Sequence, residues 1–157
     1  MASLEKQVST MKMLAATEEA VGRLYEAYAK KFQEHEEFWF GLVMEEVDHS
    51  NAILDFISKV REGSANFLED RHLVEDVQKF QEHLKQEQVR AKQEDISFID
   101  ALLVALDIEK SLIEHRFYRV FEGVSENTRD ILEYLDSESD NHIKVLQREI
   151  DHQKKQK

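Results

Sequence analysis

The chain contains no cysteine and no proline, and only 4 of its 157 residues are glycine. Without cysteine there is no disulfide, thiolate metal site, iron–sulfur cluster or cysteine nucleophile. Proline breaks helix interiors, and strand turns draw on Gly and Pro, so the scarcity of both predicts an all-α fold. No stretch approaches the roughly 18 consecutive apolar residues of a membrane span. The opening segment, Met1 to Lys12, has no uninterrupted apolar run of the kind a secretory leader carries, so the cytoplasm is the expected compartment and no membrane is expected as partner. Positive charge is also scarce: 21 Lys and Arg stand against 33 Asp and Glu, for a net charge of -12. Such a surface repels phosphate backbones and anionic lipid, which excludes nucleic acid as an expected partner. The same field favours solubility and concentrates cations around the protein.

What is present is amphipathic helix. Hydrophobic residues make up 41% and charged residues 34% of the chain. The length suits a single domain, residues 1–157, with a sizeable core. A first helix is predicted over about residues 3–33, with the stripe Met11, Leu14, Val21, Tyr25, Tyr28 and Phe32. A second is predicted over about residues 36–61, with Trp39, Leu42, Ile53, Phe56 and Val60. Gly63 ends it. A thinner stripe, Leu73, Val77, Phe80 and Leu84, predicts a helical connection over about residues 70–93 on the outside of the bundle. A further helix is predicted over about 95–122, with Phe98, Leu102, Ala105, Leu112, Arg116 and Val120. The turn Gly123–Ser125 follows, and then a last helix over about 127–152, capped by Ser125 or Asn127, with Leu132, Leu135, Leu146 and Ile150. A connecting helix of that length returns the chain along the whole bundle.

Polar residues interrupt four of these stripes. Glu18 sits in the first and Glu109 in the stripe over 95–122. Glu46 and His49 form a Glu-x-x-His in the second. Ser139-Asp140-Asn141-His142 holds the equivalent place in the last, with Ser where the motif has Glu. Two helices giving one Glu each and two giving Glu-x-x-His is how a four-helix bundle holds two metal ions in its core. The motif alone is weak, since Glu69 with His72 and Glu149 with His152 also match; the first pair falls beside the Gly63 loop, the second at a helix end, and both are expected to be solvated. Height discriminates. Two residues of an antiparallel hairpin are level when their midpoint falls at its turn. The midpoint of Glu18 and Glu46 is Phe32, beside the expected turn, and that of Glu109 and Ser139 is Val124, on the other. An ionised carboxylate in a packed core costs several kcal/mol unless compensated. Five interruptions at one level therefore point to a divalent metal with oxygen and nitrogen ligands: Glu18, Glu46, His49, Glu109 and His142. Glu138 is the candidate substitute for the missing carboxylate, lying about 40° from His142 around the helix, whereas position 139 lies about 60° away on the other side. Glu45 has the same ambiguity beside Glu46.

With these residues the chain resembles the ferritin-like superfamily, and within it the rubrerythrin family, from about Leu14 to Leu146. The family pairs a ligand Glu with a Tyr seven residues on, here Glu18 and Tyr25. Its Glu-x-x-His is matched by Glu46 and His49, its next ligand Glu by Glu109, and its last histidine by His142. The chain departs from the family at Ser139, at Leu112, where a second Glu is usual, and in lacking a Cys-ligated electron-transfer module.

The resemblance implies a ferritin-like four-helix bundle with one long crossover. It implies one or two iron ions per chain, or other divalent metals, and reaction of reduced iron with dioxygen or peroxide. In that reading Glu46 bridges two metals, Glu18 and Glu109 are terminal or bridging, and His49 and His142 cap one metal each. Tyr25 either hydrogen-bonds a ligand or packs. The alternative, favoured by Ser139, is a bundle of the same kind without redox activity that serves as an interaction or structural module. The successive rings Phe38, Trp39 and Phe40 leave at least one exposed, which favours a homodimer through the first two helices.

Overall fold

A computed structural model describes residues 4–61, 71–114 and 126–156. Those residues form five α-helices and one short 3-10 turn, with no strand among them: α1 (Leu4–Lys31), α2 (Glu36–Arg61), α3 (Arg71–Gln93), α4 (Phe98–Glu114) and α5 (Glu126–Lys155). None of these helices is long and apolar enough to cross a membrane. The expected break at Gly63, the turn Gly123–Ser125, the stripe members Arg116 and Val120, and Glu69 lie outside the described residues. So do the side chains of Val60, His72, Asn127 and Leu132.

The stripes are the buried faces. Met11, Leu14, Val21, Tyr25 and Tyr28 of α1, and Trp39, Leu42, Ile53 and Phe56 of α2, are all buried. Leu102, Ala105 and Leu112 of α4 join them, as do Leu135, Leu146 and Ile150 of α5. Helix α1 packs along both α2 and α3, α4 packs along α5, and α2 meets α5. The connecting helix α3 buries Leu73, Val77, Phe80 and Leu84. It is also tied to α1 by side-chain amides: Gln81 donates to the Thr17 hydroxyl at 3.0 Å and Gln88 to the Ala20 carbonyl at 3.3 Å.

Helix α5 runs on to Lys155, past its expected end near residue 152, and two other helix ends differ for reasons visible in their hydrogen bonds. Helix α1 stops at Lys31, and a 3-10 turn over Gln33–His35 leads into α2. The Phe32 amide still donates to the Tyr28 carbonyl at 2.8 Å, and the His35 amide donates to the Phe32 carbonyl at 2.8 Å. This tightens the chain reversal to four residues without proline or glycine. Helix α4 begins at Phe98, not Asp95. Ser97 and Asp100 form a reciprocal cap: the Asp100 amide donates to Ser97 Oγ and the Ser97 amide to Asp100 Oδ2, both at 3.1 Å. That pair satisfies two otherwise orphaned amides, so the helix starts there.

The turn end is sealed by aromatic rings. Trp39 is buried, with its ring 4.8 Å from Tyr28 and 5.6 Å from Tyr25. Phe98 meets Trp39 edge-on, and His35 stacks on Phe98 at 3.6 Å. Of the three successive rings, Phe38 is half-buried and Phe40 is the exposed one. The cluster locks α1, α2 and the start of α4 together, which holds Glu18, Glu46 and Glu109 at fixed relative height.

Candidate metal centre

Every polar residue that interrupts a stripe is buried. Glu18, Glu46, His49, Glu109, Ser139 and His142 are each at most 2% exposed. They lie within the buried core, where charges interact more strongly than in water.

The side chains converge on Glu46. Its Oε1 lies 3.1 Å from His142 Nδ1, and its Oε2 lies 3.5 Å from His49 Nδ1. Glu109 Oε1 is 3.1 Å from His142 Nδ1, and Glu18 Oε2 is 3.7 Å from His49 Nδ1. The two imidazoles stack with centroids 5.1 Å apart. Two adjacent groups of metal-competent donors result, Glu18–Glu46–His49 and Glu46–Glu109–His142, in each of which the donor atoms lie within 4.8 Å of one another. Glu46 belongs to both. On α1, Gly22 packs against Glu46: a Cβ there would stand 3.4 Å from the Glu46 Cβ, in van der Waals contact.

Tyr25 donates to Glu109 Oε1 at 2.7 Å, so it fixes a carboxylate of the cluster as well as packing on Trp39. Burial, and then the carboxylates of Glu109 and Glu46, hold its phenol well above its ordinary pKa. It therefore stays a hydrogen-bond donor across the physiological range.

The remaining charges are strongly perturbed. Burial, followed by the nearby Glu46 carboxylate, raises Glu18 well above the usual carboxyl range. Burial opposes the cationic form of His49, but the carboxylates of Glu18 and Glu46 outweigh it and carry the imidazole up to about 10. For His142 the same contest, won by Glu109 and Glu46, ends at about 11. Even so, several buried atoms make no aligned hydrogen bond: Glu18 Oε2, both Glu46 carboxylate oxygens, His49 Nε2 and His142 Nε2. Buried polar atoms without partners are expensive, and this concentration of them in one cluster is what a bound cation would relieve. Three carboxylates and two imidazoles form a donor set suited to first-row divalent metals.

The structure brings Glu18, Glu46, His49, Glu109 and His142 together, and sets Glu138 beside them. Glu138 is partly buried, with Oε2 3.9 Å from His49 Nε2. Glu45 stands out in the sequence only as an ambiguity beside Glu46. Glu45 Oε2 lies 2.5 Å from His142 Nε2, although its side chain is 47% exposed. It sits one position off the buried stripe, and its reach across to α5 has no signature in the periodicity of α2. Of the other Glu-x-x-His match on α5, His152 is exposed and contacts Gln156, while Glu149 is half-buried and accepts from Gln153, one helical turn on in each case.

No protein-family model, curated protein or solved structure matches the chain.

Proposed function

We propose that the chain is a metal-binding protein of the ferritin-like, rubrerythrin-like kind, a four-helix bundle in which α3 is the crossover. The metal is iron, one or two ions per chain, though the donor set also accepts other divalent metals. One observation carries the reading: buried carboxylate and imidazole atoms without hydrogen-bond partners meet from α1, α2 and α5, Glu109 of α4 joins them, and Glu46 is shared between two donor groups. Glu46 would bridge two ions, Glu18 and His49 would complete one position, and Glu109 and His142 the other. The chemistry bound iron would supply is reduction of peroxide or dioxygen, its small-molecule partners. Tyr25 would orient Glu109, and the imidazoles would give up their protons as metal binds. The acidic surface suits attraction of cations and disfavours nucleic acid. Phe40, exposed on α2, and its apolar neighbours Met44 and Val47 are the face through which a homodimer would form.

A second reading has its own support. Each inner carboxylate, of Glu18, Glu46 and Glu109, has an imidazole beside it, and these carboxylates favour the cationic rings, so the cluster pairs its own charges without metal. The chain would then be a structural or interaction module of the same fold. Elemental analysis of protein from iron-supplemented cells separates the two readings. In the metal-binding reading, Glu46→Ala and His49→Ala lower bound iron more than His142→Ala, because Ser139 leaves the α5 position one carboxylate short. Absence of bound metal, with no uptake on titration with Fe²⁺, selects the second reading.

A further inference from the structure

The two histidines have a second side. Their Nδ1 atoms face the inner carboxylates, but His49 Nε2 points towards Glu138 and His142 Nε2 towards Glu45. Both Nε2 atoms are buried and make no aligned hydrogen bond. One donor atom each from His49, Glu138 and His142 lie within 4.8 Å of one another, a third donor group beside the two already described. Glu45 and Glu138 are partly open to solvent, at 47% and 26% exposure, and Tyr134 closes one flank with its ring edge-on to His49 at 6.1 Å. The inner carboxylates supply what such an outer group needs. A metal-bound histidine usually donates its other ring N–H to a carboxylate, which fixes the tautomer and aims the lone pair. His142 Nδ1 lies 3.1 Å from both Glu109 Oε1 and Glu46 Oε1, so a proton held there leaves the Nε2 lone pair facing outward.

We infer that the chain carries a second divalent-cation position on the surface side of its two histidines, with Glu45, Glu138 and the Nε2 atoms of His49 and His142 as donors. It shares the histidines with the inner centre proposed above but does not need that centre to fill. Two imidazoles and two carboxylates suit Zn²⁺, Co²⁺ or Fe²⁺, and the open carboxylates give a cation direct access from solvent. On α5 the stripe position 139 carries Ser, while Glu138, one residue away, provides a carboxylate on the outer side.

The test is titration of the full metal-free chain with Co²⁺, read by visible absorption, on wild type, Glu18→Gln and the double variant Glu45→Gln/Glu138→Gln. Circular dichroism checks that all three are folded; the double substitution lies at partly exposed positions and is isosteric. The double variant is expected to weaken one binding step by about tenfold or more, while Glu18→Gln retains that step. Nitrogen NMR of the imidazoles in Zn²⁺-loaded Glu18→Gln should show both rings metallated at Nε2. Loss of binding in Glu18→Gln with wild-type binding in the double variant overturns the outer position and leaves the inner reading standing. Loss only in the double variant supports the outer position and sinks the inner one. Absence of binding by wild type overturns both.

Discussion

Raising the pH of the metal-free protein should unfold it, and the structure sets the slope. His49 and His142 hold their protons up to about 10 and about 11 in the folded chain. In the unfolded chain a histidine releases its proton near the ordinary value of about 6.5. Between those limits the native state binds more protons than the unfolded state, so stability falls as pH rises. The contribution is complete below the unfolded value and is lost as pH climbs through the folded values. Each histidine contributes about 1.4 kcal/mol per pH unit in that window, so the pair contributes about 2.7 kcal/mol per unit. Glu18, whose pKa is also raised, adds loss in the same direction above the ordinary carboxyl range. For a domain of this size about 1 kcal/mol corresponds to about 2–4 °C, so the melting temperature should drop by about 5–10 °C per unit between pH 7 and 9. The assay is a set of thermal melts by circular dichroism, in a chelator, at constant ionic strength. Glu46→Gln should flatten the slope, because the carboxylate shared by both imidazoles is gone. Saturating Zn²⁺ should reverse it, because the metal competes with the protons and binds more tightly as they leave. A melting temperature that is flat or rises from pH 7 to 9 without metal would refute the claim that the two imidazoles are buried as cations.

Other perturbations have defined outcomes. Ser139→Glu should raise the metal stoichiometry towards two per chain and stabilise the metal-bound fold by mass action, while costing several kcal/mol without metal, because residue 139 is buried. Identical melts with and without Fe²⁺ for wild type and variant would show that position 139 does not face a metal. Tyr25→Phe removes the donor to Glu109 and should cost about 1–3 kcal/mol, measured by urea unfolding, with a still larger loss in metal affinity if Glu109 is a ligand. Ser97→Ala removes the α4 cap and should cost about 0.5–2 kcal/mol without altering metal uptake, since the cap lies roughly three helical turns along α4 from Glu109.

Helix content and the buried faces belong to the sequence by itself. The absence of proline and the spacing of Met11, Leu14, Val21, Tyr25 and Tyr28 require a helix with one apolar side, and a polar residue on that stripe must be buried wherever the helix docks. Glu18, Glu46, His49, Glu109 and His142 were legible for that reason. Height in the first hairpin was also legible, because rise per residue is constant and the turn over Gln33–His35 lies beside the midpoint of Glu18 and Glu46. Tertiary structure decided everything that depends on one helix meeting another at atomic range. Glu45 lies off its own stripe and enters the site only because α5 brings His142 Nε2 to it. Tyr25 bonds to a carboxylate 84 residues away, a pairing that no local pattern encodes. The start of α4 depends on two side chains bonding back to backbone amides, a choice that competes with extending the helix to Asp95. Ring orientation is the last such choice. Periodicity puts an imidazole on a face, whereas only the packed neighbours determine that Nδ1 looks inward to Glu46 and Nε2 outward to Glu45 and Glu138.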